Sequence, residues 1–509
     1  MSSFELLLQG LVSCLDPIIL LTCAGGVFIG AIVGILPGLG PTSALAILLP
    51  LVFGKPPLPT IVMLAGIYYG AQFGGAITSI ALNVPGEAAS VPTCFDGYPL
   101  MKQGKGAKAM GMAIMSSFFG GTIGVIILTF MAMPLARFAL KFGPPEYFAI
   151  YLFTFVAIVS MSKDSIIKAF GSLFLGLLFC TVGMDSSTGI PRLNFGTFLM
   201  MDGFSLIPVA VGLVGLSEII LSIASEEGIE IRKNDPSLKF KFKDVFPNLK
   251  EYIFCFPTMI RCMIVGFFVG ILPGAGTNIA SMLCYKMEER LASDRANFGK
   301  GSLQGVSAPE TSSNACASGC FVPMLSLGIP GSGSTALLLG ALIMVGIQPG
   351  PGLFTRNPEI AWGLIGSMYI GNVMLVIMCI ALIPLFIWLL RVSQKTLPVI
   401  VALLCIIGTY GAKNSLYDVG IMFGFTILGL FFKFLNFPVA PLLIPIILGP
   451  DLEKTFRQSL SMFRGDLLLF STRPIALVIF TLCALMIALP VIGWIEGMKL
   501  KRRKERPVG

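Results

Sequence analysis

Two apolar segments of this chain, 236 residues apart, carry nearly the same sequence. GILPGLG spans residues 34–40 and GILPGAG spans residues 270–276. The match resumes with Asn-Val-Pro-Gly at 83–86 and Gly-Ile-Pro-Gly at 328–331, now offset by 245 residues. Paired Pro/Gly-interrupted hydrophobic segments in two halves of a chain are typical of the binding sites of secondary transporters. We therefore predict a carrier built from two related halves.

The composition places the chain in a membrane. Hydrophobic residues make up 55% of it, charged residues only 12%, and the mean hydropathy is +0.89. Because open sheets cannot span lipid, we predict an all-α polytopic membrane protein. By the ~20-residue length of a spanning helix, we expect roughly ten to thirteen membrane helices. The uninterrupted apolar stretches are 18–37, 109–133, 146–162, 204–224, 361–390, 397–412, 418–432 and 474–495.

The placement of charge predicts how the chain is organised. Basic residues concentrate at 226–255 and in the tail 499–509, which the positive-inside rule assigns to the cytoplasm. The N-terminus has no basic residue before Lys55, so it is a poor signal peptide, and the two halves begin with opposite charge bias. We predict inverted-topology repeats, with parallel duplication as the alternative. The expected parts are a first repeat (1–225), a connector (226–255), a second repeat (256–498) and the tail, with loops at 98–108 and 286–301.

Several function classes are excluded by what the sequence lacks. The chain contains no histidine, which removes histidine-based catalysis and most zinc sites. It has no Walker A motif, so we expect no ATP hydrolysis by this chain. Most of its twelve cysteines lie in apolar runs and are expected to act as small hydrophobes. We predict that the chain is not an enzyme and needs no cofactor beyond a coupling ion, Na⁺ or H⁺.

The four Pro-Gly breaks form the predicted substrate site. Proline removes a backbone donor and glycine exposes the backbone, so each break frees polar groups that lipid cannot satisfy. Those groups must face protein, a watery cavity or a ligand; the alternative is a packing kink with close helix contacts. The predicted substrate-binding residues are Pro37, Gly38, Gly40, Thr42, Ser43, Pro85, Gly86, Pro273, Gly274, Gly276, Thr277, Asn278, Pro330, Gly331, Ser332, Ser334 and Thr335.

The charge of the ligand follows from the near absence of Lys and Arg in these segments. An anion would be held by the N-termini of the helices that restart after each break, and a cation by carbonyls just before it. A neutral substrate remains possible on this pattern. The predicted ion-coupling residues are Asn83, Gly328, Glu310, Thr311 and Asn314, with Na⁺ at Asn83 and Gly328; Thr311 is alternatively a helix cap. Two further carboxylates, Glu87 and Asp96, are either functional or solvated at an interface.

The order of these motifs resembles one family closely. GxxxGxxPGxGPT from Gly30, YYGAQFGGAITSIALNVPGEAASVPTCFDGYPL at 68–100, APETSSNA at 308–315 and SLGIPGSGSTALLLGAL at 326–342 are similar to the large membrane subunit of tripartite tricarboxylate transporters, the TctA family. The resemblance covers roughly residues 15–490. It implies a bacterial inner-membrane symporter for carboxylates that works with a small four-helix membrane subunit and a periplasmic solute-binding protein. The broken segments are also similar to those of elevator-type carriers, which are commonly homo-oligomers.

These observations together predict ion-coupled uptake, with Na⁺ favoured, of an organic di- or tricarboxylate such as citrate. Several alternatives stay open at this point. They are a carrier for a different small solute, a channel with a continuous polar pore, a membrane enzyme, and a non-transporting sensor built on a carrier fold.

Overall fold

A computed structural model of the chain describes residues 3–35, 39–52, 54–162, 165–185, 188–224, 245–391 and 396–488, without the side chains of 3, 4, 222, 382, 384, 386–391 and 396–398. Regular structure in this part of the chain is almost entirely helical, which confirms the predicted all-α class. Its two strands, β1 (Gly183–Met184) and β2 (Pro191–Arg192), pair antiparallel with Gly183 opposite Arg192. Packing divides the chain into two units, residues 1–140 with 205–434 and residues 141–204 with 435–509.

The first unit holds all four Pro-Gly breaks. Its helices are α1 (Ser3–Cys14), α2 (Pro17–Ile35), α3 (Pro41–Leu48), α4 (Pro57–Leu82), α5 (Val91–Lys102), α6 (Gly106–Ala139), α9 (Leu206–Ala210), α10 (Ser217–Ala224), α11 (Leu249–Ile271), α12 (Gly276–Leu291), α13 (Leu303–Leu327), α14 (Gly333–Met344), α15 (Leu353–Arg356), α16 (Pro358–Arg391), α17 (Thr396–Lys413) and α18 (Leu416–Phe434). A π-helical turn, Val211–Leu216, joins α9 to α10. Short 3₁₀ turns occur at Leu49–Val52, Ala88–Ser90 and Arg295–Asn297.

The second unit is smaller. It contains α7 (Pro144–Ser160), α8 (Ile166–Cys180), the β1–β2 hairpin, α19 (Ala440–Met462) and α20 (Pro474–Ala488), with 3₁₀ turns at Phe198–Met200 and Leu467–Thr472. Arg457 binds both Asp185 and Glu453, at 2.8 and 2.6 Å, and Arg192 binds Glu453 at 2.8 Å. This charged network ties the hairpin to α19. A linked network of this kind holds charges more firmly than isolated surface pairs do.

Six helices in the described part of the chain are long and apolar enough to cross a membrane: α2, α4, α6, α11, residues 358–381 of α16, and α18. Eight shorter apolar helices of 10–17 residues accompany them. The protein is therefore an α-helical membrane protein. The predicted total of ten to thirteen spans remains a prediction, because length and composition alone identify only these six.

Two helix pairs in the first unit pack backbone against backbone. A Cβ atom at Gly34 of α2 would lie 2.1 Å from the Ala71 carbonyl oxygen of α4. At Gly270 of α11, it would lie 2.2 Å from the Cys316 carbonyl oxygen of α13. Only glycine permits such an approach. The two contacts occupy equivalent positions in the two halves. Gly34 and Gly270 are 236 residues apart and Ala71 and Cys316 are 245 apart, which are the offsets that separate the repeated motifs.

The helices end where the sequence predicts. Asn83 terminates α4 with φ 60° and Gly328 terminates α13 with φ 73°, both left-handed conformations that stop a helix. The predicted loops are partly wrong. Helix α5 continues to Lys102 and α12 continues to Leu291, so the first residues of each predicted loop are helical. Most of the predicted connector (residues 226–244) and the whole tail lie outside the described residues, and the repeat boundaries stay predictions.

Candidate functional site

The broken segments meet in the first unit. Thr42, at the start of α3, and Ser334, at the start of α14, share a hydrogen bond of 2.8 Å between their hydroxyl oxygens although 292 residues separate them. A Cβ atom at Gly333 would lie 3.5 Å from the Thr42 methyl carbon. The first break of the first half therefore touches the second break of the second half.

The two breaks of the second half also touch each other. The amide of Gly274 donates to the carbonyl of Gly331 at 3.0 Å. Gly276, with φ 62°, lies so that a Cβ atom there would be 4.0 Å from Cβ of Ser332. Pro273 and Pro330 are both buried beside these contacts. Each proline lacks the donor that would continue its helix, which is why the chain turns here.

The breaks of the first half meet through Glu87. A Cβ atom at Gly40 would lie 3.3 Å from Cβ of Glu87. A Cβ atom at Gly86 would lie 2.5 Å from the Gly34 carbonyl oxygen. The equivalent contact in the second half is between Gly331 and Gly270, where a Cβ atom at Gly331 would lie 2.8 Å from the Gly270 carbonyl oxygen. Pro37 and Gly38, both predicted to bind substrate, lie outside the described residues.

The second break of the second half ends in a well-formed helix N-terminus. The hydroxyl of Ser332 accepts a hydrogen bond from the Thr335 amide at 3.3 Å, and the Thr335 hydroxyl accepts one from the Ser332 amide at 2.8 Å. This reciprocal cap fixes the first turn of α14, whose remaining amides point out of the helix end. Ser334 and Thr335 are buried. The arrangement suits an anion, because it offers amides and hydroxyls without a counter-charge.

The remaining predicted substrate contacts lie at the edges of this cluster. Ser43 is buried, Thr277 is half-buried and Asn278 is exposed. Pro85 is also half-buried. The structure thus brings together Gly40, Thr42, Gly86, Gly274, Gly276, Gly331, Ser332 and Ser334, all through the contacts given above. Their binding of substrate stays a prediction.

The predicted ion-coupling residues fall into two groups. Asn83 and Gly328 occupy matching helix ends, but the Asn83 side chain is exposed whereas Gly328 is buried near the carbonyl of Pro349. Glu310, Thr311 and Asn314 lie together on α13 and are all buried. The Asn314 side-chain amide donates to the Glu310 carbonyl at 2.9 Å. The Thr311 hydroxyl has no hydrogen-bond partner among the described residues.

The carboxylate of Glu310 is held by two hydroxyl groups from other helices. Thr93 of α5 donates to Oε1 at 2.6 Å and Ser117 of α6 donates to Oε2 at 3.1 Å. Sequence reasoning did not find Thr93 or Ser117. Ser117 was visible as a polar residue inside the apolar stretch 109–133, and such residues need a partner within the membrane. Glu310 therefore joins three helices beside the breaks.

Asp96 and Glu87 are both buried, which rules out the solvated alternative. Asp96 is fully buried and accepts hydrogen bonds from the Tyr285 hydroxyl at 2.8 Å and from the amides of Gly301 and Ser302 at 2.9 and 2.8 Å. Its oxygens are satisfied, so its role is structural. Glu87 is 7% exposed, and its Oε1 has no hydrogen-bond partner in the part of the chain that the structure describes.

Fold and site together define a helical membrane protein whose broken helices converge on a partly buried polar cluster. The model of the tripartite tricarboxylate transporter TctA family matches residues 20–444. The chain belongs to that family, as its motifs predicted. The family is one of transporters, in agreement with the prediction that the chain is not an enzyme.

The chain is similar to two curated proteins of Agrobacterium vitis. An uncharacterized 52.8 kDa protein in the TAR-I ttuC' 3' region is 37% identical over 495 residues, covering 97% of each chain. An uncharacterized protein in the TAR-II ttuC' 3' region is 39% identical over 230 residues, covering 45% of this chain and 95% of that protein. No solved structure matches the chain.

Proposed function

We propose that this chain is the membrane carrier of a tripartite system that takes up an organic di- or tricarboxylate such as citrate together with Na⁺. The observation that carries the proposal is the Thr42–Ser334 hydrogen bond, which joins broken segments from both halves in one polar cluster. Family membership supports the transport of tricarboxylates. The proposed partners are a periplasmic solute-binding protein and a small four-helix membrane subunit, and the proposed location is the bacterial inner membrane.

The chemistry of the site favours an anion. None of the predicted substrate contacts is a lysine or arginine, so the substrate carboxylates would bind to amides and hydroxyls at the starts of α3, α12 and α14. The partial positive charge of a helix N-terminus is only about half an elementary charge. A substrate with two or three carboxylates therefore needs further compensation, which a co-bound cation provides. This is the physical reason to couple uptake to Na⁺.

The two halves are proposed to be inverted-topology repeats. The Gly34–Ala71 and Gly270–Cys316 contacts support a repeat, since the offsets that separate the repeated motifs also relate these contacts. The opposite charge bias at the start of the two halves favours inversion over parallel duplication. In the proposed cycle the broken segments move as one body and expose the site alternately to each side of the membrane, as in elevator-type carriers. We further propose a homo-oligomer, which is common among such carriers.

Uptake by the complete system tests the proposed function. Radiolabelled citrate is supplied to proteoliposomes that contain the chain, its small subunit and its binding protein, with an inward Na⁺ gradient or with K⁺ replacing Na⁺. We expect saturable accumulation above the external concentration only with the Na⁺ gradient. Accumulation driven equally well by a proton gradient without Na⁺ would contradict the coupling, and equilibration without accumulation would indicate a channel. Uptake of another solute alone would contradict the carboxylate assignment.

A further inference from the structure

The two second breaks carry different chemistry at the same structural position. Glu87 and Ser332 each follow a Pro-Gly pair, and each adopts an extended conformation, with φ/ψ of −141°/167° and −153°/170°. Ser332 uses its side chain to cap α14, whereas Glu87 makes no capping hydrogen bond. The first half thus has a carboxylate at the position where the second half has a hydroxyl that is hydrogen-bonded to a helix N-terminus.

The Glu87 carboxylate lacks the compensation that a buried charge requires. It is 7% exposed, Oε1 has no hydrogen-bond partner, and no lysine or arginine in the described residues forms an ion pair with it. Glu310, a second buried carboxylate, lies on α13, which packs against the 3₁₀ turn Ala88–Ser90 that directly follows Glu87. An uncompensated buried carboxylate costs several kcal/mol. The Glu87 carboxyl group must therefore be either protonated or compensated by a bound cation.

Further unpartnered polar atoms lie on the face of α4 that points to Glu87. Gly75 marks this face, because a Cβ atom there would lie 3.2 Å from Cγ of Glu87. Gln72 and Tyr68 precede it by three and seven residues, on the same side of the helix. Both are 1% exposed, and neither the Gln72 amide nor the Tyr68 hydroxyl has a partner with hydrogen-bond geometry among the described residues. The Tyr68 hydroxyl lies beside the Ser332 side chain, at the second break of the other half.

We propose that Glu87 binds the coupling sodium ion, with the side-chain oxygens of Gln72 and Tyr68 as neutral partners. Carboxylate, amide and hydroxyl oxygens are the hard ligands that such a cation takes. The break at 330–335, which lacks a carboxylate, is left for the anionic substrate. One of the two equivalent positions thus binds the ion and the other binds the substrate, so the ion lies next to the charge that it compensates. This inference rests on the proposed function, because it names the ion site of the same carrier.

Direct sodium binding tests this assignment without transport. The purified full chain in detergent is incubated with radioactive sodium at fixed pH, with choline as the balancing cation. We expect saturable binding by the wild type and at least about a tenfold weaker affinity in Glu87→Gln, because the substitution removes the charged ligand and keeps its shape. The matched control is Glu359→Gln, the same substitution at an exposed glutamate at the start of α16, which should bind sodium within about twofold of the wild type.

Three results would overturn the proposal: no sodium binding by the wild type, wild-type affinity in Glu87→Gln, or an equal loss in Glu359→Gln. Size-exclusion profiles and thermal unfolding show whether each variant is folded. If Glu87→Gln fails to fold, Gln72→Leu takes its place, and unchanged sodium affinity in that variant would likewise refute the site. If sodium binds with the expected pattern but citrate is not taken up, the ion site is retained and citrate is rejected as the substrate. Failure of the ion site and failure of the proposed function are therefore distinguishable.

Discussion

Replacement of Gly34 with leucine is expected to abolish the folded protein. The new Cβ atom would lie 2.1 Å from the Ala71 carbonyl oxygen, an atom of the α4 backbone that cannot move aside as a side chain can. The α2–α4 pair must separate, which displaces the breaks that follow α2 and α4. We expect a cost of about 3 kcal/mol or more, at the upper end for overpacking. Yield of monodisperse protein and thermal unfolding in detergent measure the effect.

The same helix supplies the control for this substitution. No atom lies within 4 Å of a Cβ at Gly25 of α2, so Gly25→Leu adds the same side chain without a clash. Both substitutions raise helix propensity by about 1 kcal/mol, which makes Gly25→Leu neutral or slightly stabilising. Equal yield and equal thermal stability of the two variants would show that the close α2–α4 packing is incorrect.

Removal of the Asp96 carboxylate is expected to have the second large effect on stability. Asp96→Ala leaves the buried Ser302 amide, the half-buried Gly301 amide and the Tyr285 hydroxyl without their acceptor. It also opens a void beside Gly305, where a Cβ atom would lie 2.0 Å from Oδ2. Hydrogen bonds to a charged group contribute about 1.5–3 kcal/mol each, with partial compensation by water after removal. We expect a loss of about 3–5 kcal/mol in the free energy of unfolding.

Two further variants make the Asp96 prediction specific. Asp202→Ala removes an exposed carboxylate and should leave the stability unchanged to within about 0.5 kcal/mol. Tyr285→Phe removes one of the three donors and should cost less than Asp96→Ala. In the double variant the two losses should be less than additive, because they share one hydrogen bond. Strict additivity would contradict the contact between Asp96 and Tyr285.

The sequence predicted where helices break, because proline and glycine act locally. Asn83 and Gly328 end their helices in the left-handed conformation, and α14 restarts after Pro330-Gly331 as expected. The helical class followed as directly from the apolar composition. Local rules were less reliable at loop boundaries. The first predicted loop begins at residue 98, yet α5 continues to Lys102.

The partners of the site residues could not be predicted in the same way. The contact of Thr42 with Ser334 depends on how two halves pack, and nothing near either residue specifies it. The hydroxyl donors to Glu310 come from residues 217 and 193 positions away. Sequence reasoning raised Glu87 and Asp96 as equals, yet one carboxylate is satisfied by three donors and the other has an unpartnered oxygen. Only tertiary structure separates a structural carboxylate from a candidate ligand.

The central claim is that broken segments from both halves build one carboxylate site. Equilibrium binding of radiolabelled citrate to the purified chain in saturating Na⁺ tests it most directly, with Thr42→Val from the first half and Ser334→Ala from the second. Each variant removes a hydroxyl, and we expect each to weaken citrate binding by about fivefold or more. Loss of affinity in both variants agrees with a shared site. Wild-type affinity in either variant would contradict it.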